Sequence, residues 1–367
     1  MSSPISPEFK LLCSLLPVHF RGDVPWPSDW SGVDPAAFFG YVLKTQVAPL
    51  AFHHWETRCP ALWAATPFET RARLVAWQEL FVERQNKLYA QWQELLQIFE
   101  KKDIPVIPLK GFERSIFLYQ DPFRRLFSDF DFLVRKNDVT NLGKILSENG
   151  YHQFRPINEY FDYESSWSRI DKKSNLNLNL DIHWALRPDW YFIWLPNDEL
   201  WDRALIRTNG DNWKYSLDIS DATYYAVVGN VNDFGHGNLR GCVEALEYLA
   251  MTNSDKDQKI LALFRKGGLE RVLTVLELFR EHFFPNSQKP AVMRDFSYCQ
   301  LILTKGYKKE EIYLRPRQRY LYRSFLQLLQ TGQPLRLIRF CLPRIRVFYN
   351  DYCKNHFFRI LKSKEIN

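Results

Sequence analysis

In the stretch Ser128-Asp129-Phe130-Asp131-Phe132-Leu133-Val134 two aspartates alternate with two phenylalanines, as on a β-strand whose side chains point to opposite faces in turn. Asp129 and Asp131 then share one face, while Phe130 and Phe132 point to the other. That pairing suits a divalent cation, because hard ions such as Mg²⁺ take oxygen from one or two carboxylates and complete their shell with substrate phosphates. An isolated Asp-x-Asp can equally be the solvated side of an edge strand, so its neighbourhood decides.

Upstream, a run from about Thr70 to Glu100 holds no glycine or proline and reads as a long helix, with Leu88, Trp92, Leu95, Leu96 and Phe99 as its apolar stripe. Ile104 to Leu109 reads as a short strand whose two prolines favour an end or edge position. Lys110-Gly111 closes it, Phe112 to Tyr119 reads as a helix, and Asp121-Pro122 as a turn. Downstream, a helix is expected from about Asp138 to Glu148. From Asn175 to Trp184 polar and apolar residues alternate without a miss, with Asn177, Asn179, Asp181 and His183 on the polar side. Tyr163 to Ile170 is expected to pair with that strand through the turn Asp171-Lys172-Lys173-Ser174. A third strand-borne carboxylate, Asp181, thus stands on a polar face. Helical spacing returns from Ser220, in Ala222 to Val231, Leu239 to Met251, Lys259 to Arg265 and Leu269 to His282.

Three aspartates on strands fit phosphoryl or nucleotidyl transfer, which asks the protein mainly to hold metal ions and position reactants. Two carboxylates hold the ions. The third completes the coordination or accepts the proton of the attacking group. Backbone amides at the helix start after Lys110-Gly111 can bind phosphate, with Gly111 permitting close approach and Lys110 adding a point charge. Arg124 and Arg125 can clamp phosphate or simply balance nearby acids. Because this site reads as polar and exposed, Asp131→Asn is expected to abolish turnover and leave folding nearly intact.

The 367 residues are 46% hydrophobic and 16% aromatic, enough for a substantial core. The six cysteines show no Cys-x-x-Cys spacing and read as reduced, buried thiols. No signal peptide and no uncharged apolar run of eighteen residues is present, so a cytoplasmic location is expected. The net charge of +7 is concentrated after residue 305, where about 15 Lys or Arg face about 4 Asp or Glu. That tail could track a polyanion or be a solvated helical cap; a nucleic-acid partner is possible but not favoured. Walker-type, zinc-protease, serine-hydrolase and Gly-x-Gly-x-x-Gly signatures are all missing from the chain.

Taken together, Leu109-Lys110-Gly111, Tyr119, Asp121-Pro122, Arg125, Asp129-Phe130-Asp131-Phe132-Leu133-Val134, Leu180-Asp181-Ile182-His183-Trp184 and His236-Gly237 resemble the bacterial nucleotidyltransferase-like proteins of the polymerase-beta-type superfamily. The match covers roughly residues 70 to 250. It departs from the superfamily in two places: Lys110-Gly111 replaces the usual Gly-Gly or Gly-Ser turn, and the interval to Asp129 is longer. The resemblance implies a mixed nucleotidyltransferase core with Asp129 and Asp131 as metal ligands, Asp181 as the third acid, and Mg²⁺ or Mn²⁺ as the ion. His183, on the face of Asp181, is expected to orient it; Glu244 is the nearest match to an acidic family position.

The expected fold is α+β: a helical region 1–100, a nucleotidyltransferase core with a small mixed sheet over 101–215, and a helical, basic region 216–367. The expected reaction moves a nucleoside monophosphate from a nucleoside triphosphate to an unidentified acceptor, whether small molecule, saccharide or peptide. Transfer of a sugar from a nucleotide-sugar, or a non-catalytic binder working through the basic tail, are the alternatives.

Overall fold

The computed structural model describes residues 6–154, 163–171, 176–186, 199–206, 213–231, 239–252 and 254–267, with scattered single positions at 157 and between 272 and 287. Helix α1 (Pro7–Leu15) begins where the Ser6 hydroxyl accepts the Phe9 amide and Pro7 supplies a ready helical φ. Helix α2 (Pro35–Val42) repeats the device with Asp34 and the Ala37 amide at 2.6 Å. After α3 (Ala48–Arg58) and α4 (Pro60–Ala64), the glycine- and proline-free run forms the 34-residue helix α5 (Phe68–Lys101).

The centre is built from β1 (Val106–Leu109), α6 (Lys110–Tyr119), β2 (Asp129–Val134), α7 (Val139–Glu148), β3 (His152–Gln153), β4 (Glu164–Asp171) and β5 (Leu176–His183). Beyond it come α8 (Leu200–Arg203), the short pair β6 (Leu205–Ile206) and β7 (Tyr215–Ser216), then α9 (Ile219–Val231), α10 (Leu239–Ala250) and α11 (Ser254–Gly267). The five-stranded sheet runs β1-β2-β5-β4-β3, and only the β2–β5 pair is parallel. Pro108 sits in β1, at the edge of the sheet, where a missing N–H costs no ladder bond on the open side. The expected hairpin is β4 and β5, joined in register from Asp171↔Leu176 to Glu164↔His183.

Two apolar clusters flank the sheet. On the face of Phe130 and Phe132, Trp92 of α5 stacks on Phe132 with ring centroids 4.6 Å apart and packs against Phe112 at 4.2 Å. Leu88, Leu95, Leu96 and Phe99 share that core with Leu142, Ile145 and Leu146 of α7. The second cluster joins the first four helices to α9–α11 and takes in Ile107, Leu109 and Leu133 from the sheet. Helix α5 gives Leu74 to this second cluster and Leu88 to Phe99 to the first, so it ties the two together. Glu247 of α10 adds a polar tie, accepting the Val18 and His19 amides at 2.7 and 2.6 Å.

Cys13, Cys59 and Cys242 are buried. Among the described residues, no helix is long and apolar enough to cross a membrane. The basic tail after residue 305 and His236-Gly237 lie outside the described residues, as does most of the expected helix Leu269 to His282.

Candidate metal centre

Parallel pairing of β2 with β5 sets Asp131 directly opposite Asp181, Asp129 opposite Asn179 and Leu133 opposite His183. Antiparallel pairing of β5 with β4 then sets Ser166 opposite Asp181 and Glu164 opposite His183. Residues paired across a ladder share a face. Asp129, Asp131, Asp181, His183, Glu164 and Ser166 therefore gather on the side away from Phe130 and Phe132. One donor atom each from Asp131, Asp181 and His183 lie within 4.8 Å of one another. Asp129, half-buried and two residues earlier on β2, is outside that set.

Asp131 is 3% exposed, which corrects the expectation of an exposed site: Lys110 at the start of α6 and His183 of β5 lie against its carboxylate. Its Oδ1 accepts from Lys110 Nζ at 2.5 Å and lies 2.9 Å from His183 Nε2. Burial works to raise the Asp131 pKa, but the Lys110 charge and the His183 contact outweigh it, and the carboxyl ends well below the usual range. Asp181 moves the other way. Burial raises its pKa, and the neighbouring Asp131 charge adds to that, against a hydrogen bond from Ser166. Two neighbouring carboxylates pushed apart in this way are a site that gains from a bound cation. The donor set, two oxygens and an imidazole on adjacent strands, fits a divalent metal.

Lys110 opens α6 with φ +48°, the left-handed region that a lysine rarely occupies and that costs on the order of 1–3 kcal/mol. The sharp turn this creates is what brings its ammonium onto Asp131. Burial opposes its charge, while Tyr225 and Asp131 favour it, and the net effect raises its pKa. Gly111 is buried, and a Cβ there would lie 2.9 Å from Phe127 Cβ and 3.0 Å from Arg125 Nη1. Its bare backbone is thus needed for packing against residues 125–127.

Arg125 is brought beside Gly111, where its guanidinium is engaged by Glu244. Its Nε donates to Glu244 Oε1 at 2.6 Å, and Arg114 Nη1 donates to Glu244 Oε2 at 2.7 Å. Arg240 comes within 3.8 Å of the same carboxylate and donates to the Leu126 carbonyl at 3.2 Å. Burial would raise the Glu244 pKa, but Arg125 and Arg114 hold it down to about 2. Arg124 pairs with Asp121 at 2.9 Å, and the Asp121 side chain accepts the Phe123 amide to form the expected turn. His183, expected beside Asp181, shares its face; its nearest polar atoms belong to Asp131 and to Glu164, whose Oε2 lies 3.1 Å from Nδ1.

The sequence reading did not single out Glu164, Arg114, Glu113, Tyr248 or Arg240. Glu164 could have been found by counting back along the hairpin from the turn to the residue facing His183. Glu113-Arg114, a charged pair inside an apolar helix, was the signal for a buried ionic partner; Tyr248 Oη donates to both Glu113 oxygens, at 2.9 and 3.0 Å.

No curated protein matches the sequence. Among solved structures, the chain is similar to the antibiotic-resistance factor ANT(2'')-Ia in solution, at 11% identity and TM-score 0.35, over 54% of this chain and 98% of that one. It is also similar to the crystal structure of an antigenic nucleotidyltransferase-like protein from Paracoccidioides brasiliensis, at 12% identity and TM-score 0.34, over 57% of this chain and 97% of that one. The model of a family described as "Uncharacterised nucleotidyltransferase" matches residues 31–285.

Proposed function

The chain belongs to the uncharacterised nucleotidyltransferase family, and on that footing we propose that it moves a nucleoside monophosphate from a nucleoside triphosphate to a nucleophilic group on an acceptor. The observation that carries this reading is the in-register pairing of Asp131 with Asp181 on adjacent parallel strands, with His183 beside them.

Asp131, held ionised, and Asp181 are the residues that would hold the metal, with Asp129 next along the strand toward the substrate side. A divalent ion bound there supplies neutralisation of triphosphate charge and acidifies the acceptor hydroxyl. Asp181, directly opposite Asp131 on the neighbouring strand, completes the coordination or takes the proton of the attacking group. The new bond joins the acceptor oxygen or nitrogen to the α-phosphorus, and the bond to the β-phosphate oxygen breaks to release pyrophosphate. Lys110 supplies a positive charge within reach of the phosphates, and Gly111 with Arg125 fixes the turn that carries it.

Thermal unfolding with a panel of nucleoside triphosphates, with and without Mg²⁺ or Mn²⁺, tests this. A nucleotide-induced rise in Tm that needs the metal and disappears in Asp131→Asn and Asp181→Asn is expected. A rise that is equal without metal, or equal in the variants, contradicts the reading.

A further inference from the structure

His183 is 1% exposed, and the described residues give its Nδ1 no hydrogen-bond partner. Nδ1 is nevertheless 3.1 Å from Glu164 Oε2, within ion-pair range but out of line for a hydrogen bond. Nε2, on the opposite side of the ring, faces Asp131 Oδ1 at 2.9 Å. The imidazole is therefore lodged between a carboxylate on β4 and the carboxylate pair of β2 and β5. Metal-bound histidines are built this way: one ring nitrogen gives its proton to a carboxylate, which fixes the tautomer and turns the lone pair of the other toward the ion.

The geometry points to His183 as a nitrogen ligand of the ion held by Asp131 and Asp181, with Glu164 as the positioning residue that fixes its ring. This rests on the metal-site reading above and narrows it. A site of two carboxylates and one imidazole favours a first-row transition ion such as Mn²⁺ over Mg²⁺, because imidazole suits transition metals and Mg²⁺ prefers an all-oxygen shell. Glu164 is placed for this role, with its Oε2 already 3.1 Å from Nδ1 and its side chain 31% exposed. Lys110 Nζ is paired with the same Asp131 oxygen and would have to yield it to the ion.

Mn²⁺ titration of the full-length protein, followed by electron paramagnetic resonance and by competition with Mg²⁺, tests the assignment without relying on activity. Pulsed resonance of the bound Mn²⁺ should show coupling to an imidazole nitrogen. His183→Gln should abolish that coupling and weaken Mn²⁺ binding about tenfold or more, with Mg²⁺ affinity changed by less than about threefold; Glu164→Gln should weaken Mn²⁺ on the order of tenfold while keeping the coupling. If His183→Gln does not fold, the nitrogen coupling in the unmodified protein still decides. Bound Mn²⁺ that is lost in Asp181→Asn but shows no nitrogen coupling overturns the role of His183 and leaves the proposed function standing. Mn²⁺ binding that survives in both Asp131→Asn and Asp181→Asn, or no binding at all, overturns the metal site itself.

Discussion

Two buried carboxylates, Glu244 and Asp131, sit in opposite electrical surroundings. Around Glu244, three guanidiniums from Arg125, Arg114 and Arg240 close on one carboxylate whose side chain is 1% exposed. Both oxygens are taken, and positive charge exceeds negative. Around Asp131, a second carboxylate stands directly opposite, a third lies behind His183, and the cationic partner Lys110 is on a flexible stem with 36% of its side chain exposed. Fixed, planar, saturated pairing is what a structural clamp needs, and Glu244 joins α10 to α6 and to the segment before β2. Surplus acid with a displaceable cation is what a metal-binding centre needs. The same element, a carboxylate beside a basic group, thus serves stability in one place and leaves coordination capacity in the other.

The largest effect should come from the clamp. Glu244→Ala leaves the buried guanidiniums of Arg114 and Arg125 without their carboxylate, and urea unfolding should show a loss of about 3–5 kcal/mol. Next comes Asp131→Asn, which sharpens the contrast from the other side. Turnover should fall about a hundredfold or more, while stability falls by only about 1–2 kcal/mol, because solvent already screens part of the Lys110 interaction. Equal stability losses at the two positions would erase the distinction.

Gly111→Ala should cost about 1–2 kcal/mol, since the new methyl meets Phe127 Cβ at 2.9 Å and must push the Arg125 segment away. A neutral result in thermal unfolding would mean that the turn is slack.

The smallest effect per step is in pH. Burial raises Glu113 to about 7 and Glu247 to about 8, against an ordinary value of 4.5. Their stabilising contribution is complete below about pH 4.5 and is lost as pH climbs through 7 to 8, by at most about 1.4 kcal/mol per pH unit for each group. Glu244, held down to about 2, contributes above pH 4.5 and loses its share as pH falls toward 2. Tm should therefore decline from pH 5 to pH 9, and Glu247→Gln should flatten that decline; an unchanged slope would contradict the assignment.

Much of the local structure was legible in the sequence. The spaced Asp129 and Asp131 marked β2, strict alternation marked β5, and the absence of glycine and proline marked α5, because these features act within a few residues; the expected turn residues 172–174 lie outside the described residues. The pairing of β2 with β5 was not legible, since parallel strands fifty residues apart are chosen by global packing, and this pairing is what sets Asp131 against Asp181. The Arg125–Glu244 bond, 119 positions apart, is of the same kind. Burial of Asp131 was missed because alternation tells which face a side chain takes and is silent on what later crosses that face.

The most direct test follows the phosphorus. Nucleoside triphosphate labelled at the α or the γ position is incubated with protein, Mn²⁺ and a cell extract as the source of acceptors, and labelled products are separated. The account predicts that α-label moves to a new product, that γ-label leaves as pyrophosphate, and that both events cease in Asp131→Asn and Asp181→Asn. Transfer of the γ-label to the product, or α-label transfer that persists in the two variants, would contradict it.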